Sequence, residues 1–343
     1  MSRGGFDPNR IEPGKRDKPV IPQILSPETA ALAKGFSEIK VVGIGGAGNN
    51  TIDRMIETGV QGIDFIAVNT DVQALDRSAA RKHVQIGDRL TRGLGTGGDP
   101  RLGERAAETD ADALAEAMAG ADMVFLTAGL GGGTGTGAAP IVAEIAQQSG
   151  ALTVGIVTLP FSFEGTRRRN LAAAGLDRLR PLLDSVIVVS NDRLLHVAPV
   201  TTGIHESFRM ADETLNQGIH GIADLILTPG LINLDFADVR SVMEHAGSAI
   251  MAMGTGAGEN RAIQAAERAI SSPLLDSSME GARGVLLNIT GGPDLALYEV
   301  NAAAALISAK VAPDCNIIFG AVIHPRLGDE VRVTIIATGF DRK

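Results

Sequence analysis

Between Ile39 and Ser190, five short apolar runs rich in β-branched residues alternate with longer helical stretches. They are IKVVGIG (39–45), DFIAVNT (64–70), MVFLTAG (123–129), ALTVGIVTLP (151–160) and SVIVVS (185–190). Strands that are apolar on both faces and separated by helices predict a parallel sheet covered on both sides. Such sheets bind ligands at the carboxyl ends of their strands, and the glycine-rich turns of this chain fall at those ends. A long helix follows from about Glu206 to Thr228, with Phe208, Ala211, Leu215, Ile219, Ile222 and Ile226 at three-or-four spacing. Pro229-Gly230 stops it. Beyond it the pattern predicts helices over 237–251 and 259–271. Three strands complete it: GVLLNIT (284–290), NIIFGAVI (316–323) and RVTIIATG (332–339).

The expected fold class is therefore α/β, with a Rossmann-like parallel sheet, a long central helix and a smaller α/β C-terminal domain. The expected boundaries are an N-terminal arm (1–37), a ligand-binding domain (38–205), the central helix (206–230) and a C-terminal domain (231–343). Five of the fifteen prolines fall in the first 27 residues, among several Lys and Arg, so the arm reads as mobile and slightly basic. Ser26 and Pro27 fit the cap and first position of a short helix through Lys34.

A length of 343 residues, 44% hydrophobic, allows about two domains with sizeable cores. A net charge of −9 opposes non-specific binding to nucleic acid or anionic lipid. At 3% aromatic residues the chain is also poor in platforms for stacking single-stranded bases. One cysteine, Cys315, rules out an internal disulfide framework and fits a reducing compartment. The uncharged stretch 123–143 is long enough to span a bilayer, but its six glycines and three threonines make its middle a turn. No signal peptide is evident, and a cytoplasmic location is expected. The six histidines show no metal-ligand spacing. The acidic run Glu104, Glu108, Asp110, Asp112, Glu116 reads as a solvated helix face.

Two turns carry chemistry. Gly43-Ile44-Gly45-Gly46-Ala47-Gly48 follows a strand and opens a helix, where free N–H groups and the helix dipole attract an anion. It fits GxGxxG, with Asp71 placed as a ribose-binding carboxylate would be, although a plain packing turn has the same spacing. The second turn, GGGTGTG (131–137), has five glycines in seven positions, a large entropic cost that packing alone does not justify. It lacks the lysine of GxxxxGK[ST], so phosphates there would be neutralised by backbone N–H groups, helix dipoles and Mg²⁺. A third segment, GLGTGGDP (93–100), is placed to close over a terminal phosphate or to be an ordinary loop.

The segments GGAGNN (45–50), VNTD (68–71), TRGLG (91–95), GGGTGTGAAP (131–140), PFSFEG (160–165), SNDRLL (190–195) and NLDFADVRSVM (233–243) closely resemble the FtsZ family of tubulin-like cell-division GTPases. The resemblance runs from about residue 38 to 340. It implies a tubulin-like fold, binding of GTP and GDP with Mg²⁺ held through the phosphates, and head-to-tail self-assembly into filaments of the division ring at mid-cell. Gly45, Gly46, Ala47 and Asn50 would line the α- and β-phosphates and base edge, and Gly131, Gly132, Gly133, Thr134 and Gly135 would surround the phosphates. Glu164 and Arg168 would meet the ribose and phosphate region. Asn191 and Asp212 would read the guanine edge and Phe208 would stack on its face; a carboxylate suits the guanine N1–H and N2 donors.

By spacing alone Asp235 and Asp238 read as helix-entry residues. The resemblance implies instead that Asp235, Asp238 and Asn233 form the loop that activates the attacking water. The central helix, at 23 residues, spans about 34 Å, so these aspartates lie too far from the nucleotide of their own subunit. They would act on that of the next subunit in an open filament. Asp99 and Thr96 depart from the usual family residues, Asp99 being expected as an extra carboxylate near the γ-phosphate. The chain also ends at Lys343, without the tail that usually docks membrane-anchoring division proteins. Two alternatives stand against this: a nicotinamide-dependent enzyme using the first turn, opposed by the second glycine turn, and a tubulin-like regulator that binds GTP without hydrolysing it, opposed by the intact Asp235/Asp238 pair.

Overall fold

The structure, a computed structural model, describes residue 1 and residues 37–196, 198–199, 201–228, 230–232, 234–272 and 279–340. The expected helix after Ser26, the rest of the N-terminal arm apart from its two end residues, Pro229 and Asn233 lie outside the described residues.

In chain order the elements begin β1 (Ile39–Ile44), α1 (Gly45–Glu57), β2 (Ile63–Asn69), α2 (Val72–Arg77), β3 (Lys82–Gln85), α3 (Asp88–Thr91), α4 (Pro100–Thr109) and α5 (Ala111–Met118). They continue with β4 (Met123–Gly129), α6 (Thr134–Gln148), β5 (Leu152–Leu159), α7 (Thr166–Leu179), β6 (Ser185–Ser190), α8 (Asn191–Leu194) and α9 (Ile204–Leu227). The C-terminal part is α10 (Phe236–Met243), β7 (Gly247–Ala257), α11 (Arg261–Ile270), β8 (Gly284–Gly291), α12 (Leu297–Ser308), β9 (Asn316–Ile323) and β10 (Glu330–Thr338).

The described strands form one ten-stranded sheet, in the order β3-β2-β1-β4-β5-β6-β7-β10-β8-β9. The first six are parallel throughout. Their order is that of a doubly wound dinucleotide fold, so the direction of winding reverses between β1 and β4. That reversal opens a crevice at the carboxyl ends of β1 and β4, the strands that the two glycine turns follow. The remaining strands form a mixed extension, antiparallel across β7·β10 and β10·β8 and parallel across β8·β9. A three-residue parallel pairing, Ser185↔Gly247 to Ile187↔Ala249, joins it to β6.

Alternation explains why both strand faces are apolar. In β4, Val124 and Leu126 enter one core with α4 to α7, whereas Met123 and Phe125 enter the opposite core with α1, α9 and α10. Each such side chain contributes about 1.5–3 kcal/mol when fully buried. The apolar stripe of α9, carried by Leu215, Ile219 and Ile222, shares its core with Ile156 of the parallel sheet and with Leu286 and Ile336 of the extension. A third core lies under α11 and α12. Among the described residues no helix is long and apolar enough to cross a membrane.

One sequence expectation fails here. The helix expected over 237–251 ends at Met243; His245 (φ 52°) and Gly247 (φ 70°) turn the chain left-handed, and β7 begins. Its run GSAIMAMGTGA carries little β-branching because α11 lies directly on it. A Cβ at Gly254 would come 2.1 Å from Ala265 O, and one at Gly256 would come 2.0 Å from Arg261 O. Backbone contact with α11 has selected small residues that read locally as helix. The acidic run is likewise two helices, broken at Asp110, whose carboxylate accepts the Gly87 N–H at 2.6 Å. Glu108, Asp112 and Glu116 are exposed, but Glu104 pairs with Arg178 of α7.

Candidate functional site

The crevice at the switch point is a cleft of about 290 Å³. The N-termini of α1 and α6 both open into it through Gly45, Gly46, Ala47, Gly132, Gly133, Thr134 and Gly135. The first N–H groups of each helix have no partner within the helix, and the two dipoles present partial positive charge. The turns touch: Gly45 has φ 72°, and a Cβ on it would lie 2.9 Å from Gly135 N. Gly46 and Gly132 differ, since a Cβ on either would meet nothing within 4 Å. Protein packing does not demand glycine there; the cleft does.

Buried polar side chains hold these turns in place. Asn49 Nδ2 donates to Gly43 O (2.9 Å), and Asn69 Nδ2 donates to Asn49 Oδ1 (2.7 Å). Asn69 Oδ1 in turn accepts the N–H groups of Thr70 and Asp71. The hydroxyls of Thr70 and Thr134 lie 2.7 Å apart, and that of Thr96 is 3.4 Å from Thr134. Loops following β2, α3 and β4 thus meet at three threonines. The sequence reading missed Asn49, Asn69 and Thr70. Their signal lies in GGAGNN and VNTD, where an amide next to a glycine turn can tie strand ends together.

At the other end the cleft is lined by Asn191 at the start of α8 and by Phe208, Ala211 and Asp212 on α9. Asn191 is buried and its Oδ1 has no hydrogen-bond partner. Burial pushes the Asp212 carboxyl up to about 7, with Arg54 pulling it the other way. A buried acceptor without a donor is costly, and here the Asn191 oxygen faces the same space as the Asp212 carboxyl, beside an aromatic ring. Glu164 and Arg168 form an ion pair on the wall between the two ends. Among the described lining residues these are the charged groups together with Asp212. The cleft can therefore bind an anion at one end and a planar, donor-bearing ring at the other. It carries no carboxylate at the anion end to activate water.

Asp212 has a consequence for stability. Between about pH 3.8 and 7 the folded protein keeps a proton that the unfolded chain has released, so stability falls as pH rises through that window. In the ligand-free protein Asp212→Asn should remove this dependence. At pH 7.5 it should stabilise the fold by about 1–2 kcal/mol, less than the full shift because the group opens onto the cleft. Urea unfolding at pH 4.5 and 7.5 measures it; an unchanged pH slope would show that Asp212 is already ionised.

Not every expected residue lines this cleft. Asn50 is exposed in an adjoining groove that also contains Phe208 and Asp212. Gly131 (φ 99°) shapes the turn instead, donating its N–H to Thr136 Oγ1 at 2.8 Å. Asp71 caps α2, its Oδ1 accepting from Gln73 and Ala74 N–H, and it is not among the residues that line the cleft. Asp99 caps α4 and pairs with exposed Arg101, which holds its carboxyl below the usual range. Thr96, not Asp99, lines the cleft. Asp235 and Asp238 lie at the start of α10 in a reciprocal cap: Asp238 N–H donates to Asp235 Oδ1 (2.9 Å) and Asp235 N–H to Asp238 Oδ2 (3.4 Å).

Comparison with known proteins places these features in a family. Residues 38–199 match the model of the GTPase domain of the tubulin/FtsZ family, and residues 247–341 match the model of the FtsZ C-terminal domain. A solved FtsZ dimer from M. jannaschii is 45% identical over 92% of this chain and 93% of that one, with a TM-score of 0.87. A mutant form of FtsZ from the same organism gives the same identity and TM-score, with 96% of its chain covered. CetZ1 from Haloferax volcanii, solved with GDP, is 22% identical over 89% of this chain and 95% of that one, with a TM-score of 0.77, a likeness of fold alone.

Proposed function

The chain belongs to the FtsZ family of tubulin-like GTPases, and from that premise we propose that it binds GTP in the switch-point cleft and hydrolyses it on assembling head to tail. The observation that carries the reading is the polarity of the cleft. Two helix N-termini and the open spaces at Gly46 and Gly132 suit a polyphosphate. The unpartnered Asn191 Oδ1, the Asp212 carboxyl and the Phe208 ring suit guanine, whose N1–H and N2 groups supply the missing donors. Adenine presents an acceptor at N1 and would leave Asp212 unsatisfied.

The anion end offers hydroxyls and backbone groups only, so Mg²⁺ there would be carried by the nucleotide's own phosphates and water, neutralising charge on the β- and γ-phosphates. The chain's own N–H groups hold the phosphates and stabilise charge as the bond from the γ-phosphorus to the β–γ bridging oxygen breaks. Attack needs an oriented water, and of the carboxylates lining the cleft Glu164 is tied to Arg168 and Asp212 stands at the base end. Asp235 and Asp238 are exposed or half-buried beyond the far end of α9, a helix of 24 residues and so about 36 Å long. In a head-to-tail stack they would enter the cleft of the neighbouring copy, a contact that grows as an open filament. The finer reading is a filament that builds the cytokinetic ring at mid-cell. The M. jannaschii relative, solved as a dimer, supports self-association.

Phosphate release per molecule, followed together with sedimentation over a range of protein concentrations, tests the shared site. Turnover should appear only above a threshold concentration and together with pelletable polymer. Turnover per molecule that is independent of dilution would sink it. The reciprocal cap favours a second reading, in which the two aspartates only start α10 and the protein binds GTP without turning it over.

A further inference from the structure

Phe163 is a rim residue that packing for stability does not explain. Its ring is 60% exposed, which forfeits most of the hydrophobic gain of burying a phenylalanine. Yet the short 3-10 turn that carries it, Ser162–Glu164, is fixed at both ends. Ser162 N–H donates to Asp192 Oδ1 at 2.7 Å, and Phe161 N–H donates to Glu164 Oε1 at 2.9 Å. The ring is thus held in a set place while remaining open to solvent.

Its ring contacts are aromatic. Phe163 stacks on Phe161 with centroids 4.9 Å apart and planes 13° from parallel. Both rings stand perpendicular to Phe208, Phe161 at 5.2 Å and 89°, Phe163 at 6.5 Å and 87°. Phe161 is fully buried, so it anchors the group. Phe208, 40% exposed and lining the cleft, lies against a two-ring wall that fixes the tilt of its plane. Perpendicular pairs at these separations are favourable geometries for aromatic rings.

We propose that Phe163 is a positioning residue for the nucleotide base: with Phe161 it holds Phe208 in the orientation that receives the guanine ring. The inference rests on the nucleotide reading above. A ring already immobilised loses less freedom when the ligand arrives, so the gain is in affinity and not in fold stability. Phe163 acts through Phe208, and its own ring need not touch the base.

Calorimetric titration of GDP into the parent, Phe163→Ala, Phe163→Tyr, Phe208→Ala and the Phe163→Ala/Phe208→Ala double variant tests this. Phe163→Ala should lose about three- to ten-fold in affinity with an unchanged unfolding temperature. Phe163→Tyr should stay within about twofold, since the ring is retained. In the Phe208→Ala background, Phe163→Ala should cost nothing further. Unaltered GDP affinity in Phe163→Ala would overturn the proposal, as would losses that add in the double variant. Altered sedimentation with intact affinity would assign the ring to a contact with a second copy, and would overturn it too. A parent protein that does not bind GDP would instead overturn the nucleotide reading beneath it.

Discussion

Replacing Asp235 and Asp238 together by Asn should leave the protein folded and able to bind GTP, yet lower GTP turnover by about 10²- to 10⁴-fold. The choice of Asn follows from the geometry at the start of α10. Each aspartate has a structural task, accepting an N–H of the other residue. Asn caps a helix as well as Asp, because its side-chain oxygen accepts the same bond. What Asn cannot do is polarise a water beside a γ-phosphate with a negative charge. Losing two charges at a helix N-terminus costs about 0.3–1 kcal/mol each at an exposed site, small beside the stability of a domain of this size. Replacement by Ala would mix the two roles, since removing the cap itself costs about 1 kcal/mol. Phosphate release measured well above the assembly threshold, with GTP binding and urea unfolding as controls, separates them. If the doubly substituted protein turned GTP over at the parent rate, the aspartates would be capping residues and the regulator reading would stand.

Most strands were legible because each is buried on both faces, so burial itself writes a continuous apolar run into the sequence. The expected 123–129 and 185–190 coincide with β4 and β6, and the expected 206–228 with α9 at 204–227. The strand that escaped, β7, is shaped by a neighbour: Gly254 and Gly256 answer to α11, which no local pattern reveals. α12 also went unseparated, its alanine-rich run lying between two expected strands. At the site, the glycine turns pointed to an anion because that conformational cost needs a reason, and the cleft they open into is the one proposed to hold it. Phe208 is the stripe residue of α9 that stays exposed, at 40%, which the proposed stacking on a base needs. The Asn49–Asn69 pair and Thr70 were hidden, since they matter only once loops distant in sequence meet. Asp71, Asp99 and the Asp235/Asp238 pair show the converse: an acid next to a helix start is first a cap, and any chemistry must be argued from elsewhere.

A methyl group at Gly46 should weaken GTP binding by about 10- to 100-fold while leaving the fold as stable as before or slightly more so. Gly46 sits in the first turn of α1, is exposed to the cleft and has no atom within 4 Å of the position a Cβ would take. In a helix, Ala for Gly gains about 0.5–1 kcal/mol from backbone entropy. A rise or no change in unfolding temperature is therefore expected of the variant itself. The loss falls on the ligand: a methyl forced into a close-packed contact costs about 1–3 kcal/mol, which is the stated range of affinity. Gly137 provides the contrast. It lies in α6, and a Cβ there would stand 1.9 Å from Pro100 O and 2.7 Å from Glu104 N, at the crossing with α4. Gly137→Ala should therefore drive α4 and α6 apart and lower stability by about 1–3 kcal/mol or more. Any effect on GTP would then follow from lost structure. Opposite outcomes from one substitution type, read by nucleotide titration and thermal unfolding of both variants, distinguish a cradle from a packing turn. Were Gly46→Ala to bind GTP as tightly as the parent, the phosphates would not pass over the start of α1, and the placement of the ligand would be wrong.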